Sequence, residues 1–192
     1  MLAAAKELLW EQGYEAMSPR AILDRSGVGQ GSLYHHFTGK QDLARTSLEE
    51  TSAEFCARLD EDFDRDLPPL ERVRRWLKTP RQALKGCRMG RMAAELAIHE
   101  EAIRRPVGRY FARLEQRLAA SLEAAIEAGD LPRHLDARDL AAALAAMVQG
   151  GYVLARTRDD AGQMRRATNG ALALLEAAAR GARGGQTSRK GN

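Results

Sequence analysis

The chain has 192 residues, 44% of them hydrophobic and 29% charged, with a formal net charge of +4. That length suffices for one large domain or two small ones with a real core. A mean hydropathy of −0.45, with no apolar run approaching the ~18 to 20 residues of a membrane span, speaks against a membrane protein.

A sequence pI near 9.3 leans only weakly towards nucleic acid, since part of the basic excess sits in the terminal stretch RGARGGQTSRKGN. The opening MLAAAKELLW carries Lys6 and Glu7 inside its apolar run and has helical periodicity instead of a leader pattern. A cytoplasmic location is expected. Cys56 and Cys87 lie far apart without a C-x-x-C pattern, so neither a disulfide framework nor a metal or redox motif is expected, and no cofactor.

Ala, Leu, Glu and Arg recur at spacings of three and four, and almost nothing alternates with period two, which predicts an all-α protein. A first helix is expected over 2–12, stopped by Gly13. A second follows Ser18 as N-cap and Pro19 at the first helical position, ending at Gly27. The third is expected over 30–37. A long helix should run over 40–64 with Leu43, Leu48, Phe55 and Leu59 as its apolar stripe, then helices over 69–78, 89–98 and 103–128. Asp136 caps the next, DARDLAAALAAMVQGGYVLART, and the last is expected over 163–180. These elements divide into a small N-terminal domain (1–45), a larger helical domain (46–180) and a disordered tail (181–192).

The turn GVGQ joins the second and third helices as in a helix-turn-helix. Gly27 can take positive φ, Val28 can plug a small core, and Gly29 leads into the third helix. With Leu33 inward, helical pitch places Phe37 beside it and turns Gly31, Ser32, Tyr34, His35 and His36 outward. Short side chains, donors and acceptors, and aromatic edges suit a major groove. Gln30 can read an adenine, while Lys40, Ser18 and Arg20 are placed for phosphates. Adjacent histidines lack the i, i+4 spacing of a helical metal pair. Pitch and turn chemistry alone leave plain packing open beside DNA reading, because helix-turn-helix geometry also occurs without function.

The segment GVGQGSLYHHFTGKQDL, preceded by GYEAMSPRAILDRS, resembles the DNA-binding signature of the TetR family of bacterial transcriptional regulators, with Gly27, Val28, Gly31, Leu33, Tyr34, His36, Phe37, Lys40 and Leu43 in register. The resemblance implies DNA contacts at Ser18, Pro19, Arg20, Gln30, Gly31, Ser32, Tyr34, His35 and His36, with Lys40 on a phosphate. It covers about the first 45 residues. Members of the family usually carry a basic arm before the first helix. Here residues 1–45 balance five Lys/Arg (Lys6, Arg20, Arg25, Lys40, Arg45) against five Asp/Glu (Glu7, Glu11, Glu15, Asp24, Asp42). Either the start is truncated or affinity rests on fewer phosphate contacts and responds shallowly to salt.

One recognition helix reads few base pairs, so a dimer on a palindrome is expected. Its stripes are Leu140, Leu144, Met147, Gly151 and Leu154 on one helix and Ala167, Ala171, Leu174 and Ala178 on the next, part of each serving the core. The family resemblance implies a four-helix interface from these two helices, and a small-molecule effector that releases operator DNA from a repressor. Trp76, Cys87, Met89, Met92, His99, Tyr110, Phe111, Met147 and Tyr152 can line its pocket. GCRMGRMAAELA resembles a GC-x-x-G-x-x-A-x-E segment of some members, with Arg88 and Arg91 as additions that hint at an anionic effector. An enzyme with a histidine base is disfavoured, since the outward helix face offers no cleft. A thiol-based redox regulator using Cys87, its thiol activated by Arg88, is the alternative.

Overall fold

The structure, a computed structural model, describes residues 1–187, and every regular element among them is helical. In chain order these are α1 (Leu2–Glu11), α2 (Pro19–Ser26), α3 (Gln30–His36), α4 (Lys40–Phe63), α5 (Pro69–Lys78), α6 (Arg88–Ala93), a 3-10 turn (Leu96–His99), α7 (Glu101–Glu127), α8 (Ala137–Thr157) and α9 (Gly162–Thr187).

The chain forms two compact units, and they are not consecutive in sequence. Residues Met1–Ala57 pack with Lys85–Ala112, while Arg58–Leu84 pack with the described residues from Arg113 onward. The first unit is thus larger than the domain expected over 1–45, because Lys85–Ala112 brings α6 and the start of α7 into the same core. Ala5, Leu8 and Leu9 of α1, Ile22, Leu33, Leu43 and Leu48 share that core with Met89, Met92, Ile103 and Val107. Burying a leucine fully contributes roughly 1.5–3 kcal/mol relative to leaving it exposed, so the later segment is a substantial part of what holds the N-terminal helices.

In the second unit α5 turns Leu70, Val73, Trp76 and Leu77 inward and is tied to α9 by a two-point ion pair, Arg74 Nε to Glu176 Oε1 at 2.6 Å and Nη2 to Oε2 at 3.0 Å. At Gly151 of α8 a β-carbon would stand 2.9 Å from Met164 Sδ and 3.1 Å from the Ala167 methyl of α9. Glycine at that position lets the two helices approach closely.

Three expectations need correction. The helix expected over 89–98 ends at Ala93, and the backbone at Glu95 is extended (φ −101, ψ 152), a break that accompanies the reach of its carboxylate to the Tyr14 and Glu15 amides of the α1–α2 turn. The last helix runs to Thr187, so 181–187 are helical where a tail was expected, and the rest of that tail lies outside the described residues. Extending an established helix costs far less than starting one, which lets it run on through Gly181. Finally, α8 is long and apolar enough to cross a membrane by length and composition, contrary to the reading that no segment approaches this. Its alanines and leucines serve two faces, one packed on α9 and one outward.

Candidate nucleic-acid interface

The helix-turn-helix forms for local reasons. Ser18 Oγ accepts from the Ala21 N–H at 3.1 Å, capping α2, and Pro19 occupies a position where no helical N–H is needed. Gly27 ends α2 in the left-handed region at φ 67, its N–H bonded to Leu23 O. Gly29, in extended conformation, starts α3. Leu33 is buried and anchors the short helix, with Phe37 partly buried against the same core.

The outward side of α3 carries the expected residues. Gln30, Gly31, His35 and His36 are exposed, and Tyr34 keeps 54% of its surface open. Ser32 is half-buried, so it offers its hydroxyl from the flank of the face. The His35 and His36 rings meet edge to face, centroids 4.8 Å apart. At the start of α2, Ser18 and Arg20 are exposed and Pro19 half-buried. Asp42 supports the base of the helix, accepting from the Thr38 N–H at 3.1 Å. The Arg45 guanidinium, then that Thr38 amide, hold the Asp42 carboxyl below its usual range.

The cations of this unit are mostly committed. Lys6 bridges Glu50 and Glu54 at 2.9 and 2.7 Å, Arg25 pairs with Glu11 at 2.6 Å, and Arg45 sits between Asp42 and Glu49. Lys40 departs from the sequence reading. Its ammonium donates to Glu15 O at 3.2 Å and lies 4.4 Å from the Tyr14 ring centroid, so it ties the root of α4 back to the α1–α2 turn. Burial first, with Glu100 and Glu15 adding to it, raises the Tyr14 phenol. Arg20 has its side chain 92% exposed, and its 3.8 Å approach to Asp24 is too loose and wet to hold it.

The residues expected around an effector do not gather in one core. Met89 and Met92 are fully buried in the first unit, Cys87 and Phe111 pack against the same core, and His99 is exposed. Trp76, Met147 and Tyr152 belong to the second unit. A cleft of about 460 Å³ there is rimmed by Asp62, Glu71, Arg75 and Lys78 and involves none of them. The two arginines of the GCRMGRMAAELA segment are engaged: Arg88 pairs with Glu7 at 2.5 Å and lies 4.0 Å from the Trp10 ring centroid, and Arg91 Nε faces Glu95 at 3.7 Å. Arg88 is therefore turned to α1, and the Cys87 sulfur accepts from the Gly90 N–H at 3.3 Å.

On α8 and α9 the expected stripe divides. Leu144, Gly151 and Ala171 are buried, and Leu140, Met147, Ala167 and Ala178 are half-buried. Leu154 and Leu174 are exposed, joined by Val153, which the sequence reading missed.

A helix-turn-helix head with an outward polar and aromatic recognition helix defines a DNA-binding regulator. A model of the bacterial regulatory proteins of the tetR family matches residues 1–46, and one of the tetracyclin repressor-like C-terminal domain matches residues 69–171. The chain belongs to the TetR family of transcriptional regulators. It is 28% identical over 167 residues to the uncharacterized HTH-type transcriptional regulator YxaF of Bacillus subtilis, spanning 83% of this chain and 85% of that one. It is 34% identical over 73 residues to the HTH-type transcriptional repressor KstR2 of Mycobacterium tuberculosis, 38% of this chain and 36% of that one. Among solved structures, the regulatory protein TetR from Rhodobacter sphaeroides superposes with a TM-score of 0.77 at 26% identity, covering 88% of this chain and 93% of that one.

Proposed function

We propose that the protein is a repressor that binds a palindromic operator as a homodimer and lets go when a small-molecule effector binds. What carries the DNA part of this reading is the face of α3: Leu33 is buried beneath it while Tyr34, His35 and His36 stand in solvent. Gln30, Gly31, Tyr34 and the two histidines read base edges, with Ser32 at the flank. Ser18, Pro19 and Arg20 meet the backbone at the start of α2, and Lys40 adds a phosphate contact when its hold on the α1–α2 turn permits. Repressor action is supported by the name of one relative.

The homodimer rests on Val153, Leu154 and Leu174, large apolar side chains left in water on neighbouring helices. Leu140, Met147, Ala167 and Ala178 border them, while Leu144, Gly151 and Ala171 serve the packing of α8 on α9 and position the face. The effector belongs to the helical part beyond α4. Candidates in the first unit are Cys87, His99 and Phe111, with Met89 and Met92 as core support; those in the second are Trp76, Met147 and Tyr152. By linkage, an effector that weakens DNA binding must itself be weakened by DNA to the same factor. The direct test of DNA reading is selection of duplexes from a random library by the wild-type chain, followed by binding of Tyr34→Ala to the enriched duplex. A loss of at least tenfold is expected, and unchanged affinity would remove α3 from the reading role.

A further inference from the structure

Glu95 lies near the end of the GCRMGRMAAELA segment and touches no expected DNA contact, yet it ties that segment to the α1–α2 turn. Its Oε2 accepts from the Tyr14 N–H at 2.7 Å and from the Glu15 N–H at 3.3 Å. These two amides lie in the turn that leads from α1 to α2. The chain enters that turn through Gly13 at φ 87, where a β-carbon would run into the Glu95 carboxylate. Glu95 is itself half-buried and faced by Arg91 Nε at 3.7 Å. A carboxylate accepting from two backbone N–H groups is a strong, directional tie.

The residues so held go on to hold the reading head. Tyr14, 8% exposed, presents its ring to the Lys40 ammonium at 4.4 Å, and the Glu15 carbonyl accepts from Lys40 Nζ at 3.2 Å. Lys40 begins α4, three residues after α3 gives way at Phe37. The other end of the same segment is fixed to α1 in parallel: Gly86 O accepts from Trp10 Nε1 at 2.9 Å, and Arg88 pairs with Glu7 over the Trp10 ring. The segment is thus a bracket on α1, and its Glu95 end continues through the turn to the root of the recognition helix.

The geometry points to Glu95 as a positioning residue for DNA recognition: by gripping the Tyr14 and Glu15 amides it sets Lys40, and through Lys40 the seating of α3, without contacting DNA itself. The inference rests on the reading that α3 reads DNA. A residue of this kind acts on affinity through geometry, so an acceptor oxygen at full reach in its place keeps affinity and a withdrawn one does not.

The test uses the full chain and the duplex enriched from a random library by the wild-type protein. Glu95→Asp keeps the charge but withdraws the carboxylate by one methylene, and Glu95→Gln keeps an acceptor oxygen at full reach. The expected result is a loss of at least tenfold in affinity for Glu95→Asp and less than threefold for Glu95→Gln. Both are compared at a temperature where circular dichroism shows each fully folded. Faster hydrogen exchange at the Tyr14 and Glu15 amides should accompany the aspartate variant alone. Equal affinity and equal exchange in Glu95→Asp and wild type would overturn the inference. Should Glu95→Asp fail to fold, a loss in folded Glu95→Gln as large as tenfold with amide protection intact would overturn it, and retention of both would support it. Failure of the wild-type chain to enrich any duplex would instead defeat the DNA reading itself.

Discussion

Single residues carry two kinds of work in the first unit, and substitutions separate them. Gly13 combines a left-handed φ of 87 with the close approach of Glu95, so Gly13→Ala is expected to cost roughly 1–3 kcal/mol of stability by urea denaturation. Ser18 caps α2 and also stands where a phosphate contact is proposed. Replacement by alanine should cost ~0.5–2 kcal/mol and lower DNA affinity as well, whereas Ser18→Asp should keep the cap and repel the backbone. Several carboxyls are held low: Asp60 first by the Arg113 side chain, Glu49 first by Arg105, Asp42 first by Arg45. A folded-state value below the unfolded one contributes stability that is present above the unfolded value and lost as pH falls through the folded one. Thermal midpoints should therefore fall as pH drops below the ordinary carboxylate values of 3.8 and 4.5, and hold above them.

At the level of the element, what the sequence made legible was local chemistry. The helix expected over 69–78 has those bounds, with Pro69 at its start, and Ser18, Pro19, Gly27 and Gly29 set the helix-turn-helix, because caps and left-handed glycines act within a few residues. Periodicity shows that a face is apolar, not what covers it. That is why the α8 and α9 stripe divided into core and exposed residues only in three dimensions. The break at Glu95 and the tie of Lys40 to Tyr14 were hidden for the same reason, since each depends on partners far along the chain. The exposed apolar patch has a direct consequence: Leu154→Glu with Leu174→Glu should leave a folded chain, since both side chains are already in water, yet sediment at half the mass of the wild type. Unchanged sedimentation would place the interface elsewhere.

On the scale of the whole molecule, the first unit unites the reading head with a later segment of the chain, so the head's stability depends on residues from Lys85 onward. Its cations are largely consumed in ion pairs, leaving Arg20 as the most exposed among residues 1–45. Affinity should then rest on few phosphates, with a log–log salt slope well below the value near 9 that ~10 contacts produce, and Arg20→Ala should reduce it by roughly 1.8, about 0.9 from each protomer of the dimer.

The measurement that bears most directly on the central claim is hydroxyl-radical footprinting of the wild-type chain on its enriched duplex, with Tyr34→Ala alongside. Expected are two protected regions related by two-fold symmetry, their major-groove centres about one turn, ~34 Å, apart, both lost in the variant at the same concentration. Uniform protection without symmetry, or an unchanged footprint in Tyr34→Ala, would contradict it.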